Sequence, residues 1–277
     1  MIVLTNVTKA FGKKTALSNV SLRVNPGEFV CIAGPSGAGK TTLLSLVIAA
    51  QEATSGSVEI DGVNVRRIPS PPLQLYRRRV GMVFQDGKLL ADRTVRENIA
   101  FPLEVCGVAD AVIKKRVDDV MKKLEILGNA DAFPHELSAG ENMRTAIARA
   151  IVHRPLIILA DEPTGNLDPV QAAAILELLR AIHREGTTVI LATHDASITE
   201  RFPMRVIRLE EGKAMPDGTA APAKKTIPKP ATSPLKHEFF AENRASMRES
   251  PLPGSDLGGT FDTVQRRRKI KITSIGP

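Results

Sequence analysis

The chain lacks any apolar run long enough to cross a bilayer. Its longest mainly apolar stretches, such as residues 43–50, fall far short of the ~18 residues a span requires. It has only two cysteines, Cys31 and Cys106, both in apolar surroundings, which excludes a disulfide framework. The opening MIVLTNVTKAF has no basic region followed by a long apolar core, so no secretion signal is expected and the cytoplasm is the default compartment. What is present is a chain of 277 residues, 43% hydrophobic and 25% charged, which excludes a wholly disordered polymer and allows a sizeable buried core.

The net charge of +8 is unevenly placed. Residues 213–277 hold 12 Lys and Arg against 6 Asp and Glu, leaving 26 against 24 for residues 1–212. The same 65 residues hold eight of the 19 prolines, and GTAAPAKKTIPKPATSP (218–234) has too little bulky apolar surface to offset the entropy of ordering it. A domain over 1–212 followed by a basic, Pro-rich tail over 213–277, expected to be disordered, is the natural division. The near-neutral first part argues against a nucleic-acid partner.

Three short all-apolar runs, 29–33 (FVCIA), 156–160 (LIILA) and 188–192 (TVILA), read as strands of a sheet buried on both faces. Helical patterns follow two of them, at 41–50 and at 169–184, where Ile175, Leu178, Leu179 and Ile182 mark one face. Alternating strands and helices predict a parallel α/β sheet. Residues 2–7, 17–24 and 57–60 alternate apolar and polar residues, as half-exposed antiparallel strands do. The stretch 86–152 is mainly helical: Ile113, Val117, Val120, Leu124 and Leu127 step by four and three, an ordinary core stripe, and 144–152 continues the pattern.

Gly34-Pro35-Ser36-Gly37-Ala38-Gly39-Lys40-Thr41-Thr42 fits the phosphate-loop pattern, between a predicted strand and a predicted helix. Its glycines allow backbone N–H groups to turn toward phosphate oxygens, with the helix N-terminus adding partial positive charge. Lys40 is expected to reach the β- and γ-phosphates of a nucleotide and the Thr41 hydroxyl to ligate Mg²⁺. Asp161, at the end of a neighbouring strand, is the second expected Mg²⁺ partner. Glu162 suits the water-activating role, and His194, following a third buried strand, is expected near the γ-phosphate.

Several nucleotide-hydrolysing classes share those features. Leu137-Ser-Ala-Gly-Glu141 resembles the signature LSGGQ of the ATP-binding-cassette (ABC) ATPases, and Ser138 lies 23 residues before Asp161, ahead of a helix, as in that family. Gln85 in VFQD resembles the Q-loop, Gly165-Asn-Leu-Asp168 the D-loop, His194 in ATHD the H-loop, and Phe11 stands where the family has its adenine-stacking aromatic. The resemblance covers residues 1 to about 212. It implies a parallel RecA-like core with a small antiparallel β subdomain and an inserted helical subdomain at about 86–152. It further implies a head-to-tail homodimer with ATP at its interface, Gln85 as a catalytic and Mg²⁺-binding residue, Ser138 and Gly140 contacting the γ-phosphate in trans, and Asp168 bridging the halves.

Within the family, residues 84–103 and 160–168 are similar to the cell-division ATPases of the FtsE group, with the ATPases of lipoprotein release and macrolide export as near neighbours and a soluble ABC protein acting on nucleic acid or the ribosome as a remote alternative. The first resemblance implies an FtsX-like integral membrane partner meeting residues 85 to about 103, peripheral attachment to the cytoplasmic face of the plasma membrane, and coupling to cell-wall hydrolases. One departure stands out. Ala139 replaces the first glycine of the signature pair, where its methyl is expected to crowd the γ-phosphate or force a different φ, predicting slow or partner-dependent hydrolysis. In the tail, Arg266 to Lys271 supplies five basic residues in six. A solvated tail, adhesion to anionic lipid, and docking of Leu235, Phe239 and Phe240 on the cassette or on a division protein are the three readings of that segment.

Overall fold

The computed structural model describes residues 1–215. The readings made of 218–234, of Leu235, Phe239 and Phe240, and of Arg266 to Lys271 lie outside the described residues.

Two sheets form the scaffold. β1 (Ile2–Phe11), β2 (Lys14–Val24), β4 (Ser55–Ile60) and β5 (Val63–Asn64) make an antiparallel sheet in the order β2-β1-β4-β5. β3 (Phe29–Ala33), β6 (Val80–Val83), β7 (Ile157–Asp161), β8 (Thr188–Thr193), β9 (Arg205–Glu210) and β10 (Lys213–Ala214) make the second, in the order β10-β9-β3-β8-β7-β6. Its pairs from β9 through β6 are parallel, and only β10 runs antiparallel, on β9. The sheet therefore continues two residues past the boundary drawn at 212.

The parallel strands are apolar throughout because both faces are covered. In β7, Ile158 and Ala160 enter one core, whereas Ile157 and Leu159 enter the other; in β8, Val189 and Leu191 oppose Ile190 and Ala192 in the same way. One core is closed by α3 (Val95–Val105), α4 (Asp110–Lys123), α5 (Ala139–Ile151) and α6 (Pro169–Arg184). The other is closed by the antiparallel sheet and α1 (Lys40–Val47). Two short helices, α2 (Ser70–Arg77) and α7 (Ala196–Arg201), complete the described chain.

Helix ends fall short of the sequence pattern where the backbone turns left-handed. α1 stops at Val47, before Ala49 at φ 55°, and α4 stops at Lys123, before Glu125 at φ 57°. Leu127, expected in the apolar stripe, is consequently 42% exposed, and Met121 takes a core place beside Ile113 and Val117. The residues forming β6, β9, α2 and α7 were not singled out by pattern.

One carbonyl joins three segments. A Cβ on Gly39 would stand 2.5 Å from the Ala16 oxygen, and one on Gly212 would stand 2.7 Å from it. Ser18 N–H also donates to Gly212 O at 2.8 Å. The start of β2, the phosphate loop and the β9–β10 turn are thus packed backbone to backbone.

Candidate nucleotide-phosphate site

The carboxyl ends of β3, β8 and β7 lie side by side, and each delivers one part of the site. From β3, residues 34–39 form a loop that is pinned to β8 by Gly34 N–H donating to Thr193 O at 3.2 Å. Gly39 then opens α1 at φ 101°, and Leu17 Cδ2 stands 2.8 Å from its Cβ position, so conformation and space both demand glycine. Within the loop Pro35, Ser36 and Gly37 are exposed and Ala38 is buried, while Thr41 and Thr42 occupy the first turn of α1. Lys40 is buried, and its Nζ donates to Gly34 O at 2.8 Å and Pro35 O at 3.0 Å. The same ammonium lies 3.2 Å from Glu162 Oε1.

β7 ends in Asp161, followed directly by Glu162, and both are buried. Burial pushes the Asp161 carboxyl above its usual range; a hydrogen bond from Thr41 opposes this, and the neighbouring Glu162 reinforces it. Asp161 Oδ1 has no hydrogen-bond partner, an expensive condition for a buried carboxylate oxygen. Glu162 sits at φ 47°, held there by its N–H donating to Ala192 O at 2.9 Å. A left-handed non-glycine residue costs about 1–2 kcal/mol, so this turn keeps a strained conformation that aims the carboxylate between Lys40 and β8. From the end of β8, half-exposed His194 puts Nδ1 2.5 Å from Glu162 Oε2. An ionised carboxylate only accepts, so Nδ1 carries the proton.

An orphaned, buried carboxylate oxygen beside a threonine hydroxyl is a hard-oxygen site, and it fits Mg²⁺. Mg²⁺ takes few protein ligands and completes its shell with phosphates and water. Gln85, after β6, approaches from the side: its Nε2 is 3.4 Å from the Cβ position of Gly165, and Glu162 Oε2 is 3.8 Å from that same point.

The structure thus brings together the phosphate loop, Asp161, Glu162, His194 and Gln85. Other residues singled out by sequence sit on separate elements. Phe11 ends β1, 46% exposed, with Lys9 Nζ 4.9 Å from its ring centroid. Ser138 caps α5 in a capping box: its hydroxyl donates to Glu141 Oε2 at 2.6 Å, and Asn129 donates to Glu141 Oε1 at 2.8 Å. Asp168 caps α6, accepting from Val170 N–H and Gln171 N–H at 2.9 Å. Gln171 packs over Gly140, 3.1 Å from its Cβ position, and so links the signature to α6. Ala139 is the first residue of α5, exposed and in ordinary helical backbone; the expectation that its methyl forces a different φ is not met, because the position precedes the buried glycine instead of occupying it. Asn129, Gln171 and Arg149 were missed by sequence; the one available signal was a basic residue, Arg149, inside an otherwise apolar helical stretch.

A phosphate loop on the central strand, paired acidic residues on a second and a histidine on a third define a nucleotide-phosphate site, and the inserted helices with their capped signature turn narrow its class. Residues 17–165 match the family described as ABC transporter. The chain is 43% identical over 219 residues to the cell division ATP-binding protein FtsE of Mycobacterium tuberculosis, covering 78% of this chain and 95% of that one. It is 44% identical over 214 residues to FtsE of Bacillus subtilis, covering 76% and 93%. Among solved structures it resembles a dimeric ATP-binding cassette in a post-hydrolysis state bound to ADP and phosphate, with a TM-score of 0.72, 37% identity, and coverage of 78% of this chain and 97% of that one. The chain belongs to the ABC transporter family and is an ATPase of that family.

Proposed function

We propose that the protein is the ATP-hydrolysing subunit of an FtsEX-like membrane complex, in which ATP-driven closing of a cassette homodimer acts on an FtsX-like integral membrane protein and, through it, on cell-wall hydrolases during division. The observation that carries the chemistry is the contact of buried Glu162, at the end of β7, with Lys40 at the start of α1 and with His194 after β8. The similarity over three quarters of the chain to cell-division ATP-binding proteins supports the biological setting.

In this mechanism Lys40 engages the β- and γ-phosphates from the base of the loop, and the backbone N–H groups of residues 34–39 surround them. Thr41, Gln85 and Asp161 would hold Mg²⁺, which supplies neutralisation of phosphate charge. Glu162 positions the attacking water and accepts its proton as the oxygen–γ-phosphorus bond forms and the bond to the bridging oxygen breaks. His194, its Nδ1–H committed to Glu162, keeps that carboxylate aimed toward the γ-phosphate region. Phe11 stacks on adenine, a contact worth roughly 1–3 kcal/mol by analogy with base stacking. Ser138 and Gly140 of each subunit complete the partner's site, with Asp168 between the halves.

The partner surface is read at 85–103. Lys88, Leu90, Phe101 and Pro102 from that segment line a cavity of about 300 Å³, together with Phe84 and His153. Among the described residues no helix is long and apolar enough to cross a membrane, so attachment at the cytoplasmic face is assigned to the partner. A transport reading, as the ATPase of lipoprotein release or macrolide export, is the second reading, because the GNLD residues 165–168 are a form those ATPases share with the cell-division group.

Glu162→Gln tests the chemistry. It is expected to retain ATP binding and ATP-dependent dimerisation while turnover falls roughly 10²-fold or more; full turnover would remove Glu162 from its role. Co-purification of the full chain from membranes distinguishes the settings. An FtsX-like four-helix protein supports the division reading, and a transporter with a different periplasmic domain replaces it with the export reading.

A further inference from the structure

α5 carries Asn142, Ala146 and Arg149 at positions i, i+4 and i+7, hence on one face. All three meet the turn that follows Gln85. Arg149 donates from one guanidinium nitrogen to Gly87 O at 2.7 Å and from the other to Lys88 O at 2.8 Å. Asn142 Oδ1 stands 2.3 Å, and Ala146 Cβ 3.6 Å, from the point a Cβ on Gly87 would occupy. The turn itself is sharp: Gly87 N–H donates to Phe84 O at 2.9 Å, and Gly87 and Lys88 both have left-handed φ, 69° and 45°. Two consecutive carbonyls are thereby presented to one planar fork, a geometry that arginine satisfies with two hydrogen bonds and lysine with one.

We infer that Arg149 is a positioning residue for Gln85, fixing the height of the Q-loop against α5 so that the Gln85 amide stays beside Glu162 and Gly165. This rests on the reading of Gln85 as part of the Mg²⁺ and water site. Gln85 is exposed and lies only two residues before the gripped carbonyl of Gly87. Rigid packing of Gly87 on Asn142 and Ala146 from one side, and the guanidinium fork on the loop carbonyls, leave the turn one place to rest. The signature turn is the N-terminus of the same helix, so the loop bearing Gln85 and Ser138 are carried by a single rigid element.

The test is the Mg²⁺ dependence of ATP hydrolysis at fixed ATP, with the full chain. Arg149→Ala is expected to lower turnover about ten-fold, the scale of a small misplacement near reacting groups, and to raise the Mg²⁺ concentration for half-maximal rate several-fold. Its affinity for a fluorescent ATP analogue without Mg²⁺ should stay within about two-fold of the parent, because Arg149 touches no phosphate-loop residue. Arg149→Lys should fall between the two, and Gly87→Ala, which pushes the turn off Asn142 from the other side, should reproduce the raised Mg²⁺ requirement. An unchanged Mg²⁺ requirement in Arg149→Ala, whether or not its melting temperature falls, overturns the inference if Gln85→Ala raises that requirement. If Gln85→Ala also leaves it unchanged, the role given to Gln85 is what fails, and the inference fails with it.

Discussion

Acid is expected to loosen this fold through one imidazole. His153, in the turn after α5, is pushed down to a pKa of about 4 by burial, which a contact with the Val80 backbone, too loose for a full hydrogen bond, offsets only in part. An unfolded histidine titrates near 6.5. Between those values the unfolded chain binds a proton that the folded chain refuses, so stability falls as pH falls through that window. A full unit inside that window is worth about 1.4 kcal/mol, and with both ends only partly titrated, going from pH 6.5 to 4.5 removes about 2 kcal/mol. In a domain of this size 1 kcal/mol moves the melting temperature about 2–4 °C, giving a drop of roughly 4–8 °C from this residue. The carboxyls of Glu97, Asp118 and Glu141 are lowered, and their stabilisation is lost only at still lower pH; the raised carboxyl of Asp161 acts in the opposite sense. The measurement is therefore a difference: melting temperature by calorimetry at half-unit pH steps for the parent and His153→Gln. The variant's curve should be flatter between pH 6.5 and 4.5 by that amount. Parallel curves would refute the assignment.

Asp161→Asn should raise the melting temperature at pH 7 by a few degrees while abolishing most turnover. Its folded carboxyl is raised, so the stabilising form is the protonated one, lost as pH rises, and the amide removes a buried charge; a lower melting temperature would contradict this. Gly34→Ala places a methyl 2.1 Å from Leu209 O, a backbone atom that cannot swing away. The cost is expected at about 1–3 kcal/mol with loss of nucleotide affinity, checked by titration with a fluorescent ATP analogue. Ala139→Gly should raise turnover several-fold at a helix cost of no more than about 1 kcal/mol; an unchanged rate with and without the membrane partner would sink the idea that this methyl slows hydrolysis.

The parts of the fold legible in the sequence were those whose burial is two-sided. β3, β7 and β8 are continuous apolar runs because each alternates its side chains between two cores, and α6 spans the predicted 169–184 because Asp168 caps it and Pro169 starts it. β9, RVIRLE, escaped notice because its arginines and glutamate interrupt any apolar run, and β6 has only four residues. The phosphate loop was legible because its chemistry is local: glycine, lysine and threonine at fixed spacing. The Lys40–Glu162–His194 contact was expected only as proximity, since its geometry depends on the left-handed turn at Glu162. The grip of Arg149 was invisible, because it is made to backbone carbonyls about sixty positions away, and carbonyls carry no residue identity.

The shared Ala16 carbonyl has a practical corollary. Gly39 and Gly212 lean on it from two directions, so the β9–β10 turn, close to the last described residue, is separated from the phosphate loop by a single peptide unit. Tension or a bulky load applied just downstream of Met215 would be delivered to that joint, not to a remote edge. A truncation made at Gly212 would also strip β10 from β9. Residues 213–215 thus belong with the catalytic body, and any attachment meant to leave ATP binding undisturbed needs slack beyond them.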